Sequence, residues 1–125
     1  MNVYYQPAEL IMTIEEFIAK LNATPNNTNF KETIAVIDAH YDFTPTEFQN
    51  GELKNEAGQN SGSCKLFSFA QLSGLNQQQT LNCFGDYYRI DVLLHPTATD
   101  HQNIRNFIKY GWQGVSFKGQ ALSPK

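Results

Sequence analysis

The sequence predicts a mainly α-helical fold of five or six helices with room for a short two-stranded β element; α+β is the alternative. Three observations carry this. Several segments join a capping residue to an apolar stripe at the three-to-four spacing of a helix. One segment alone, Val115-Ser116-Phe117, alternates clearly in the manner of a strand. The 125 residues, 41% hydrophobic and 17% charged, suit one ordinary core rather than a disordered chain.

Thr13-Ile14-Glu15-Glu16 is a capping box, and Ile14, Phe17, Ile18 and Leu21 follow on one face, so a first helix is expected over Thr13 to Leu21. Pro25 sits in a turn over Ala23 to Thr28. Asn29, with Glu32 three residues on, caps a second helix whose stripe is Phe30, Ile34, Ile37 and Tyr41. Thr44-Pro45-Thr46-Glu47 offers a cap, a proline at the first helical position and an acid at the third, which predicts a short third helix ending by Gly51. From Gly51 to Ser63 periodicity is lost; this reads as an ordered polar loop, opening with a short strand near Leu53.

Ser63 is the expected cap of a fourth helix, apolar around most of its circumference through Leu66, Phe67, Phe69 and Ala70 and therefore central. Gly74 stops it. Asn76 and Gln79 start a fifth, carrying Leu81, Phe84 and Tyr88 and running past Arg89 toward Leu94 until His95-Pro96 ends it. Asp100 and Asn103 open a sixth with Ile104, Phe107 and Ile108, closed by Gly111. Val115 to Phe117 is expected to pair with Glu52 to Lys54. No repeat or linker divides the path, so residues 1–125 read as one domain with an ordered core over about 8–122 and frayed ends at Met1 to Pro7 and Ser123 to Lys125.

Composition removes several function classes. A net charge of -3, with only nine scattered Lys and Arg, disfavours nucleic-acid binding. No run approaches the roughly 18 apolar residues of a membrane span, and the start lacks a secretory signal, so a cytoplasmic protein is expected. Two cysteines, Cys64 and Cys83, are too few for a disulfide framework, and no His or Cys pair has zinc-ligand spacing. No metal or cofactor is expected. With 12 Asn and 10 Gln, 22 amides in all, the polar surface is largely neutral.

Four phrases are long and unusual: Ile37-Asp38-Ala39-His40-Tyr41-Asp42-Phe43-Thr44-Pro45, Asn55-Glu56-Ala57-Gly58-Gln59-Asn60-Ser61-Gly62-Ser63-Cys64-Lys65, Cys83-Phe84-Gly85-Asp86-Tyr87-Tyr88 and His101-Gln102-Asn103-Ile104-Arg105. On these the sequence resembles the HopJ type III effector family, roughly from Thr13 to Leu122. The resemblance implies a bacterial protein moved into a host cell by a type III secretion apparatus; it brings no active site to carry over.

The residues themselves offer one chemical candidate. The loop Gly58 to Ser63 delivers Cys64 to a helix N-terminus, where the macrodipole lowers a thiol's pKa. Partnered by His40 or His101, Cys64 would serve a hydrolase or transferase. The competing reading is a small buried cysteine. Asp38 and His40 do not form a dyad on one helix, since two residues place them about 160° apart. His40 and His101 instead flank apolar stripes and are expected at core edges with a hydrogen-bond partner. The favoured function is a small binding module without catalysis. Its candidate ligand residues are Asn55, Gln59, Asn60, Ser61 and Ser63, and its partner is a protein or a small polar or anionic ligand held by this loop.

Overall fold

Three helices begin where side chains cap them in the computed structural model, which describes residues 12–125. Thr13 accepts from the Glu16 amide and the Glu16 carboxylate accepts from the Thr13 amide, starting α1 (Ile14–Ala23). Asn29 accepts from the Glu32 amide at 2.8 Å and starts α2 (Phe30–His40). Later in the chain, the reciprocal Asn76 and Gln79 pair starts α4 (Gln77–Asn82). Each cap satisfies amides that have no acceptor within their helix.

Between them runs α3 (Ser61–Leu72), the central helix, burying Cys64, Leu66, Phe67, Ser68, Phe69 and Ala70. Phe67 is its pivot. That ring lies 4.9 Å from Phe107, 5.5 Å from Phe84 and 6.1 Å from both Phe48 and Trp112. Burying one such side chain stabilises the fold by roughly 1.5–3 kcal/mol, so this aromatic cluster binds α3 to α5 (Gln102–Tyr110), whose buried face carries Asn103, Ile104 and Phe107.

The expected mainly α fold is corrected to α+β: 54% of the described residues are helical and 13% lie in strands, which form two small sheets. β1 (Tyr41–Phe43) pairs antiparallel with β5 (Leu122–Pro124). In the other sheet β2 (Phe48–Asn50) lies between β3 (Leu53–Asn55) and β4 (Val115–Phe117), both antiparallel to it. The predicted third helix does not form. Phe48 and Asn50 are wholly buried while Gln49 between them is not, a period of two that three residues are too few to announce. Gly51, at φ +59°, turns the β2–β3 hairpin instead of ending a helix. Val115 consequently pairs with Asn50, not with Glu52 to Lys54.

The C-terminal residues expected to fray form β5, and the Lys125 amide donates to the His40 carbonyl at 3.0 Å. Met1 to Pro7 lie outside the described residues. The expected long fifth helix is broken by Gly85 at φ +63°, after which Tyr87–Val92 forms a π-helical turn. Two expected caps also move by one or more residues: α3 starts after Asn60 rather than Ser63, and α5 after His101 rather than Asp100.

Candidate functional site

The polar loop that precedes α3 is held by its own amides. The Glu56 amide donates to Gln59 Oε1 and the Gln59 amide to the Glu56 carbonyl, each at 2.9 Å. Asn60 Nδ2 donates to Asn55 Oδ1 at 2.7 Å, and Ser61 Oγ reaches the Gly58 carbonyl at 3.4 Å. Asn55 is wholly buried and exchanges hydrogen bonds with Asn103: Asn55 Nδ2 donates to Asn103 Oδ1 at 3.1 Å, and Asn103 Nδ2 donates back to Asn55 Oδ1 at 2.9 Å. Asn50 Nδ2 donates to the same Asn103 Oδ1 at 3.0 Å and to the Asn103 carbonyl at 2.8 Å. Four asparagines therefore join β2, β3 and the starts of α3 and α5. A buried amide left without partners costs free energy, and the bonds among these side chains offset most of that cost, although Asn50 Oδ1 is buried without a partner.

Above this network lies a cleft of about 470 Å³ between the starts of α3 and α5. Its polar lining is Asn60, Gly62, Ser63, His101, Gln102 and Asn103, and its apolar wall includes Phe30, Phe84 and Tyr87. The two helix starts share a geometry. Asn60 (φ 50°, ψ 49°) and His101 (φ 51°, ψ 47°) are both left-handed, and neither side chain caps its helix. These are the only non-glycine residues with positive φ among those described. Asn tolerates that region better than most residues, and His is also enriched there. The Cys64 amide bonds back to the Asn60 carbonyl and the Ile104 amide to the His101 carbonyl. Among the described residues, the amides of Gly62, Ser63, Gln102 and Asn103 meet no protein acceptor.

Glycine at 62 lets the aromatic wall approach, since a Cβ there would lie 2.7 Å from Phe30 Cζ. The acidic side chains beside the cleft have hydrogen-bonded partners. His101 Nε2 donates to Asp91 Oδ2 at 3.0 Å, and Arg105 binds the Asp100 carbonyl and Asp100 Oδ1 at 2.6 and 2.7 Å. The Arg105 hydrogen bond chiefly holds the Asp100 carboxyl below its ordinary pKa, with the His101 charge adding to it against a desolvation cost.

The sequence-predicted residues separate into groups. Asn60, Ser63 and His101 line the cleft. Asn55 is the hub beneath it; Gln59 and Ser61 hold the loop. The Cys64 thiol is buried and turned away, donating to the Thr46 carbonyl at 3.5 Å, and burial raises its pKa. Cys83 is buried too, its thiol pushed up to about 12 by desolvation. His40 Nε2 donates to the Met12 carbonyl at 2.8 Å. The arrangement does not supply an exposed, activated Cys64 thiol beside an imidazole, which counts against the hydrolase or transferase reading. Both histidines do have the hydrogen-bond partners expected of core-edge residues.

Residues missed as site candidates are Gly62, Gln102, Asn103, Phe30 and Tyr87. Asn103 carried only a helix-start signal, Phe30 read as part of the apolar stripe of the second helix, and Tyr87, which is 44% exposed, lay on no stripe. Among the described residues no helix is long and apolar enough to cross a membrane, and no group of three or more His, Cys, Asp or Glu is placed to hold a metal ion.

Fold and cleft together define a small α+β protein with a neutral, amide-lined recess between two helix starts. The chain belongs to the family described as HopJ type III effector protein, whose model matches residues 14–122. It is similar to the crystal structure of the unknown-function protein VPA0580, with 45% identity, a TM-score of 0.91 and coverage of 100% of both chains. No match was found among curated proteins.

Proposed function

We propose that this protein is a small binding module that takes an anionic or polar ligand in the cleft between the starts of α3 and α5. One observation carries the reading: two uncapped helix starts open into one recess, whereas α1, α2 and α4 are closed by side chains. A helix start presents about half a positive charge and several free amides, so two of them balance roughly one negative charge.

Acetate titrated into the protein tests this by amide NMR. Shifts concentrated on Gly62, Ser63, Gln102 and Asn103 are expected. Ser63→Asp, which places a carboxylate at the third position of α3, is expected to abolish them while leaving thermal stability equal or higher, because the acid itself satisfies the helix start. Unchanged amides up to about 50 mM, equivalent to roughly 2 kcal/mol of binding, would overturn the reading.

The family description supports a second, separable proposal: the module acts in a host cell after delivery by a type III secretion apparatus. A reporter enzyme fused to the C-terminus, expressed in bacteria with and without a working apparatus, tests it. Host-cell reporter activity that requires the apparatus supports delivery; equal activity in both strains, or none in either, refutes it.

A further inference from the structure

We infer that the ligand of this cleft carries a flat aromatic or heteroaromatic ring beside a single negative charge; the inference rests on the binding reading above and names the ligand class. Size is the first argument. A bare carboxylate would leave most of about 470 Å³ unfilled, whereas a recess of this volume is typical for a small organic molecule.

The wall supplies the second. Tyr87 is 44% exposed, yet its ring is held by Phe30 at 5.4 Å and by His101 at 5.0 Å with a 33° tilt. Phe30 in turn stacks on buried Phe84 at 6.0 Å. An exposed aromatic ring already fixed by its neighbours loses little rotamer freedom on meeting a ligand, and its free surface favours another ring in an offset or edge-on contact.

The third argument is the neutral polar edge. Asn103 lines the cleft at only 6% exposure, and one hydrogen of its Nδ2 goes to Asn55. Its other amide hydrogen, and Oδ1 of Asn60, have no partner among the described residues. One donor and one acceptor beside an aromatic wall suit the edge of a heteroaromatic ring.

Charge decides the valence. The basic side chains at the start of α5, His101 and Arg105, are hydrogen-bonded to Asp91 and Asp100, so the helix-start amides face the ligand's charge. They suffice for about one unit. A phosphate dianion would carry a second charge that the two helix starts do not balance, so a carboxylate is preferred to a phosphate ester.

Calorimetry on the intact protein with benzoate, cyclohexanecarboxylate and phenyl phosphate tests each part. Benzoate is expected to bind about three- to tenfold tighter than cyclohexanecarboxylate and tighter than phenyl phosphate. Tyr87→Leu should erase the preference for the flat ring, and Tyr87→Phe should keep it. Equal affinity for the two carboxylates overturns the ring inference and leaves the anion reading standing. Tighter binding of phenyl phosphate overturns the single charge. No binding by either carboxylate removes the binding reading itself and this inference with it.

Discussion

Asn55→Ala is expected to lower the unfolding free energy by about 2–4 kcal/mol, from the penalty of about 1–3 kcal/mol for each buried polar group left without a partner. The substitution removes both hydrogen bonds that Asn55 exchanges with Asn103 and the one that Asn60 makes to it. Asn103 Nδ2 then has no partner in the network, while Asn103 Oδ1 keeps only Asn50. For a domain of this length the loss amounts to a fall in melting temperature of roughly 8–16 °C. Chemical and thermal unfolding of the purified variant measure it. A loss below about 1 kcal/mol would mean that water replaces the amide and that the network is not what joins the hairpin to the two helices. The same substitution frees Asn60 from the contact that positions the start of α3, so acetate-induced shifts at Gly62 and Ser63 should weaken as well.

That network shows where sequence reading stopped. Thr13 with Glu16 and Asn76 with Gln79 were legible because a capping box is complete within four residues. Asn29 and Gly111 were legible for the same local reason. Asn50, Asn55 and Asn103 lie up to 53 positions apart in the chain, and only the fold brings their amides together. Asparagine looks like surface, and here it is core. The strands failed differently. Thr44-Pro45-Thr46-Glu47 satisfies local rules for a helix start, but pairing of Phe48 to Asn50 with strands on both sides overrides them. β5 was invisible because Leu122 to Pro124 has no pattern of its own and gains order only from Tyr41 to Phe43.

The site was half legible for a related reason. An unusually long polar connection pointed to the segment before Cys64, and Asn60 and Ser63 do line the cleft. The second wall begins at His101, whose left-handed backbone no residue pattern revealed. Reading the thiol as the chemical centre followed from its place at a helix start. Register decided otherwise: at the fourth position of α3 the side chain turns into the core, while Gly62 and Ser63 face the recess.

Gly85→Ala tests how the aromatic wall depends on the fold, and a loss of about 2–5 kcal/mol is expected from two separable causes. Gly85 adopts φ +63°, where any Cβ is strained by roughly 1–2 kcal/mol. That Cβ would also lie 2.8 Å from Asn29 Cα and 3.0 Å from the Phe30 nitrogen, which are backbone atoms at the start of α2. Asn29 is the cap of that helix, so relieving the overlap shifts the cap or the turn, adding about 1–3 kcal/mol. Gly74→Ala is the control: Gly74 has φ +67° but nothing within 4 Å of its would-be Cβ. It should show the conformational loss alone. The difference between the two variants, read from urea unfolding at matched slope, measures the packing contribution. Phe30 follows Asn29 directly and packs against Tyr87 at a 60° tilt at the cleft, so Gly85→Ala should also reduce the preference for benzoate over cyclohexanecarboxylate, whereas Gly74→Ala should not. Equal stability losses in the two variants would show that α2 accommodates the methyl group without strain, and the proposed dependence of the aromatic wall on this contact would fall.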